Sequence, residues 1–243
     1  MARPSRRVWR RSALVCLVAA TSVLITTLVQ PLWLFRLLSR AYPDILWRVE
    51  TLAPLVALTF DDGPAADHTP EVLALLAKHG AHATFFMIGD RAAAYPALVS
   101  AIRSAGHEIG NHSYTIRSTL RASDREFLTR LLRTEAVLGL SGPVKLYRPP
   151  GGLIPRSQLA LATQHGYRCV LGSAYPYDPS HPPSAYIRWL VSKNLAPGTI
   201  VILHDGIADP SPDDCGPGCH TGCRRGEGSP VRLRRRAIGE GCT

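Results

Sequence analysis

Short apolar, β-prone runs alternate with helical segments through the middle of this chain, and that alternation limits the folds open to it. The runs fall at 55–58, 83–88, 107–112, 146–148, 168–172 and 198–205. Between them, residues 69–80 open with Thr69 as an N-cap, Pro70 in the first turn and Glu71 as an early acid. They carry an apolar face of Val72, Leu73, Leu75 and Leu76 and stop at Gly80. Further helices are expected at about 96–105, 123–139, 156–166 and 185–194, with Ser184 capping the last. Parallel strands need a crossover connection, usually a helix, and the helices between these runs supply it. The pattern is that of an α/β barrel or open sheet, whose site lies at the carboxyl ends of the strands.

Those strand ends carry the reactive residues. The first run leads into Leu58-Thr59-Phe60-Asp61-Asp62-Gly63-Pro64. Two adjacent carboxylates at the end of a buried strand are costly unless a metal or cation surrounds them. On a strand such neighbours point to opposite faces, but where the chain turns both can reach one pocket. One carboxylate can then bind a metal while the other stays free as a general base. Asp-Asp-Gly is also ordinary turn chemistry. Later strand ends supply His112, Arg148, Asp178 and His204. Singly, His112 reads as a turn residue, Arg148 as a surface ion-pair partner and Asp178 as a cap. At successive strand ends of one domain they fit metal-assisted hydrolysis better.

The net charge of +10 over 243 residues is confined to the ends of the chain. Arginines crowd the first dozen residues and the last thirty, which disfavours nucleic-acid binding and reads as membrane topology. Residues 1–12 form a basic segment, and the run from Ala13 to Phe35 is free of charge. That is long enough to cross ~30 Å of hydrocarbon. A transmembrane signal anchor at 13–38 is expected, with the N-terminus cytoplasmic and the rest outside, in the periplasm or at the cell surface. A cleaved leader ending near Ala19-Ala20-Thr21 is the rival, disfavoured because the run continues past that point. Pro31 should end or kink the helix, and 39–54 reads as a juxtamembrane connector.

The motifs resemble those of the polysaccharide deacetylases, carbohydrate esterase family 4, over about residues 55–206. Thr59-Phe60-Asp61-Asp62-Gly63-Pro64 is similar to the family's first motif and Arg148-Pro149-Pro150-Gly151-Gly152 to its third. Asp178 in Tyr175-Pro176-Tyr177-Asp178 resembles the fourth, and Leu203-His204-Asp205 the fifth. The resemblance implies a distorted (β/α) barrel that removes N-acetyl groups from an N-acetylglucosamine glycan, chitin-like or peptidoglycan. It implies Asp61 as general base, with Asp62 and His112 holding a divalent metal, usually zinc. Arg148 would orient Asp61 and keep it ionised, and His204 would act as general acid with Asp178 holding its ring. Pro150, Gly151 and Tyr177 would contact the substrate or its oxyanion. No protein partner is implied.

Two features depart from the family. The second motif is His-Ser/Thr-x-x-His, whose residues four apart share a helical face and can reach one metal. Here it is His112-Ser113-Tyr114-Thr115-Ile116, and isoleucine cannot ligate. A catalytic zinc usually has three protein ligands, so the site should be weakened. His68 and His107 are the nearest other imidazoles in sequence. A non-catalytic or metal-impaired glycan-binding relative is the alternative reading. The second departure is 210–243, rich in Gly, Arg and Cys, with no helical or strand period. Cys215, Cys219 and Cys223 lack the usual metal-knuckle spacing. This tail reads as disordered or as the product of a shifted reading frame.

Overall fold

The computed structural model describes residues 6–206, with side chains from residue 15 onward. The tail from 210 onward and the side chains of the basic N-terminal segment lie outside the described residues. Seven strands form one parallel sheet: β1 (Ile45–Leu46), β2 (Ala57–Gly63), β3 (Thr84–Met87), β4 (Glu108–Asn111), β5 (Lys145–Tyr147), β6 (Tyr167–Val170) and β7 (Ile200–His204). The helices are α1 (Arg6–Val29), α2 (Leu32–Ala41), α3 (Thr69–Lys78), α4 (Gly89–Ala94), α5 (Pro96–Ser104), α6 (Asp124–Leu138), α7 (Arg156–Gln164) and α8 (Ser184–Asn194).

The strand order is β1-β6-β5-β4-β3-β2-β7, and the sheet curls until its two ends approach. Past the end of β6, the Ser173 and Ala174 amides donate to the Ile200 carbonyl at 3.0 and 3.2 Å. Just after β1, the Val49 amide donates to the Gly198 carbonyl at 2.9 Å. The result is a curled half-barrel of parallel strands with helices outside it.

Strand alternation assigns the two faces. Phe85 packs outward with Phe60, Met87, Ile102 and Leu138 beneath the helices, whereas its neighbour Phe86 points inward against Val170 and Ile200. Both rings are 1% exposed, so truncating either to alanine should cost about 3–5 kcal/mol. A second outer cluster, Phe127, Leu131, Tyr147 and Tyr167, fixes α6 and α7 to β5 and β6. α6 begins where expected, with the Ser123 hydroxyl accepting from the Glu126 amide, and ends at left-handed Gly139.

Three local expectations change. Thr69 does not cap α3 but lies inside it, because its buried hydroxyl donates to Asp205 at 2.6 Å and accepts from the Ala65 amide. α8 starts at Ser184, with Pro183 in the cap position. The 39–54 connector contributes a strand, since Ile45 and Leu46 pair with Cys169 and Val170. As expected, the helix ends at Pro31: α2 leaves α1 at 96°. Pro31 disfavours helical backbone at the residue before it, and Gln30 sits at φ +48°. Among the described residues, no single helix is long and apolar enough to cross a membrane. The bent pair Val15–Val29 and Leu32–Ala41 could do so by length and composition.

Candidate active site

A cleft of about 260 Å³ opens at the carboxyl ends of the strands. β2 delivers Asp61 and Asp62 to it through a local irregularity. The pairing with β3 shifts register between Asp61 and Gly63, and Asp62 adopts φ +68°. That turn brings two consecutive carboxylates, which a regular strand would point apart, into one cleft.

The two carboxylates then have different partners. Arg148, 2% exposed, donates through Nη1 to Asp61 Oδ1 at 2.5 Å and to Thr59 Oγ1 at 2.8 Å. Its Nε and Nη2 donate to the carbonyls of Val170 and Leu171, and the guanidinium lies 4.0 Å over the Phe86 ring. A buried cation with its donors satisfied and its charge paired is a fixed part of the core.

Asp62 faces His112 instead, with Oδ1 3.3 Å from Nε2; Asp61 Oδ2 is 3.9 Å from the same nitrogen. The other ring nitrogen, Nδ1, lies 2.7 Å from the Arg148 carbonyl. A carbonyl only accepts, so in the neutral ring Nδ1 carries the proton and the Nε2 lone pair faces the carboxylates. Burial works against the Asp62 carboxylate. When the ring is protonated and Nε2 also donates, the His112 hydrogen bond and the charges of His112, His204 and Arg91 outweigh it and hold its pKa below the usual carboxylate range.

His204 lies directly beside Asp61, since the two are register partners on β7 and β2. Asp178 binds it twice, accepting from the His204 amide at 2.8 Å and meeting Nδ1 at 3.1 Å. Burial disfavours the charged imidazole. The Asp178 hydrogen bond and the charges of Asp61, Asp178 and Asp62 more than offset this, and its pKa is raised.

Ile116 lines the same cleft, on the rim next to His112, so an apolar side chain occupies the position of the absent second imidazole. Neither alternative histidine compensates. His68 is exposed just before α3, and His107 packs against His82 and Phe85 on the helix side of the sheet. Among the described residues, no group of three or more His, Cys, Asp or Glu is arranged to hold a metal ion.

Pro150 and Gly151 line the cleft as expected, but Tyr177 does not. Tyr177 has left-handed backbone, φ +57°, and its hydroxyl turns outward to the Thr27 carbonyl at 3.3 Å. Tyr175 takes the place at the cleft, its ring 5.8 Å from that of His204. The alternation in Tyr175-Pro176-Tyr177 contained this residue, but the sequence could not tell which ring faced inward. Thr59, which holds Arg148, was in the first motif and carried no separate signal.

The polysaccharide deacetylase family model matches residues 48–170, about half the chain. The chain belongs to that family. Its deacetylases are hydrolases acting on carbon–nitrogen bonds. A peptidoglycan-N-acetylglucosamine deacetylase of Bacillus cereus is 39% identical over 69% of this chain and 80% of its own length. A chitooligosaccharide deacetylase of Sinorhizobium fredii is 36% identical over 65% of this chain and 75% of its own. The crystal structure of the Bc1960 peptidoglycan N-acetylglucosamine deacetylase superposes with TM-score 0.64 at 32% identity. It covers 68% of this chain and 79% of that one. A mutant of BA3943, described as a CE4 family pseudoenzyme with restored enzymatic activity, superposes with TM-score 0.61 at 27% identity, over 66% of this chain and 60% of that one.

Proposed function

We propose that this chain is a metal-dependent deacetylase of an N-acetylglucosamine glycan, peptidoglycan or chitin-like, held at a membrane by its N-terminal helix. The observation that carries the reading is the division of two adjacent carboxylates: Asp61 is bound by Arg148 and Asp62 faces His112. Asp62 and the free Nε2 of His112 would hold a divalent ion, for which zinc suits the nitrogen–oxygen donor set. His112 fits the role because its outer nitrogen is fixed by a carbonyl, the usual support of a metal-binding imidazole. Such an ion, when bound, supplies Lewis acidity toward water and the acetamide carbonyl.

The other steps belong to the chain's own groups. Asp61, oriented by Arg148, accepts a proton from the attacking water. His204, kept charged by Asp178, gives a proton to the departing amine nitrogen. The backbone at Gly151 lies at the cleft, where an N–H can meet the developing oxyanion. The Tyr175 ring offers a face to a sugar.

Ile116 favours a second reading, in which the chain binds glycan but turns it over poorly. Two protein donors are fewer than a catalytic zinc usually has. The test is zinc content and acetate release from N-acetylglucosamine oligomers by the full chain beside Ile116→His. We expect the variant to bind zinc more tightly, by more than the ~10- to 100-fold that loss of an outer-shell partner costs. Acetate release should rise with it. Equal zinc binding and equal turnover by both chains would mean that another donor completes the site. Zinc binding by the variant without acetate release would reject the catalytic assignment.

A further inference from the structure

Gln30, at the break between α1 and α2, is 5% exposed, although α1 beside it is largely exposed. Its side chain is clamped to the backbone of Tyr175, 145 residues away. Nε2 donates to the Tyr175 carbonyl at 2.5 Å, and Oε1 accepts from the Tyr175 amide at 2.8 Å. This is the two-point pairing that one strand residue offers another, made here by an amide side chain. Its backbone conformation, φ +48°, is uncommon for glutamine and is held by these two bonds and by Pro31.

The end of α1 makes further contacts with the same part of the domain. The carbonyls of Thr27, Leu28 and Val29 accept from Tyr177, Tyr186 and Lys193 respectively, the last two at 3.0 Å. Tyr186 and Lys193 are on α8, whereas Tyr177 belongs to the segment between β6 and α8, which lacks strand or α-helix and contains two left-handed non-glycine residues, Tyr177 and His181. It also carries Tyr175, which lines the cleft, and Asp178, which binds both the amide and the ring of His204. A loop with strained backbone and little regular pairing needs support from outside to keep a catalytic geometry.

We infer that Gln30 is a positioning residue for catalysis: by clasping Tyr175 it sets the loop from which Asp178 orients His204. The N-terminal helix is thus part of the active site's support as well as a tether. The inference rests on the deacetylase reading, and one arm of its test does not use activity.

The experiment compares Gln30→Ala and Gln30→Glu with the parent full-length chain in detergent, in the Ile116→His background if the natural chain turns over too slowly to measure. Hydrogen–deuterium exchange of residues 173–182 should accelerate in Gln30→Ala while β2 is unchanged. The kcat for N-acetylglucosamine oligomers should fall by about 10- to 100-fold with KM little altered. Gln30→Glu, which keeps the acceptor and loses the donor, should fall between. In an Asp178→Asn background, Gln30→Ala should cost much less, because the two residues act through one path. Unchanged exchange, or a loss that simply adds to that of Asp178→Asn, would overturn the inference. Faster exchange with no acetate released by any variant would leave the clasp standing and reject the deacetylase reading.

Discussion

The two halves of the cleft are built differently. Asp61 and His204 sit across from each other in strand register, and His112 and Arg148 directly follow the paired residues Asn111 and Tyr147. Their spacing follows from the ~4.8 Å separation of hydrogen-bonded strands and from the Arg148 network, so it is fixed by the same contacts that fold the domain. Ile116 and the Tyr175–Asp178 segment are on connections. There the position of a side chain depends on turns, left-handed residues and support from elsewhere, in this case the end of α1. The strand-borne half retains Asp61, Asp62, His112, Arg148 and His204 in one cleft. The loop-borne half is where Ile116 lines the cleft and where the end of α1 makes its contacts.

The largest effect should come from the strand-borne half. With activity established in the natural chain or in Ile116→His, Asp61→Asn should lower kcat of the folded protein by about 10³-fold, within the range of general acid–base catalysis, and should also lower the melting temperature because the buried Arg148 charge loses its partner. A loss below tenfold would remove Asp61 as the base and undo the contrast.

Asp178→Asn tests the loop-borne half. His204 must be protonated to act as the acid, and its raised pKa keeps it protonated above the ordinary histidine value of about 6.5. Activity should therefore persist above that pH and fall as pH rises through the raised value. The same group contributes stability below its unfolded pKa, and this too is lost as pH rises through the folded one. In Asp178→Asn the alkaline fall should move to lower pH and kcat should drop by about 10²-fold. An alkaline limb that stays in place would separate Asp178 from His204.

The smallest effects concern two glycines. A Cβ on Gly63, in β2, would collide with the buried carboxylate of Asp205, so Gly63→Ala should cost about 1–3 kcal/mol in urea unfolding. A Cβ on Gly151, in the loop after β5, meets nothing within 4 Å, and only its φ of +75° opposes a side chain. Gly151→Ala should cost about 1 kcal/mol. Equal costs would mean that the loop is as tightly packed as the strand.

The strand-borne half was legible in the sequence, because a buried strand ending in Asp61-Asp62, or in Leu203-His204, displays both its apolar run and its reactive end. Ile116 was equally plain, as a wrong residue in a fixed spacing. The loop-borne half was less so. No periodicity decides whether Tyr175 or Tyr177 faces inward, since that depends on one left-handed residue. β1 is two residues long and is held only by its partner β6. Gln30 carried no signal of its contacts, because its partner is 145 residues away and pairs through backbone atoms, which carry no sequence signature.

The contacts at the end of α1 also bear on the order of assembly. The carbonyls at a helix C-terminus need donors, and those of Leu28 and Val29 receive theirs from Tyr186 and Lys193. Both donors emerge from the ribosome more than 150 residues after the groups they satisfy. During synthesis the helix end therefore waits, uncapped by its final partners, until nearly the whole domain has been made. Its docking and the setting of the His204 loop are then one late event, which completes the helix and the active site together.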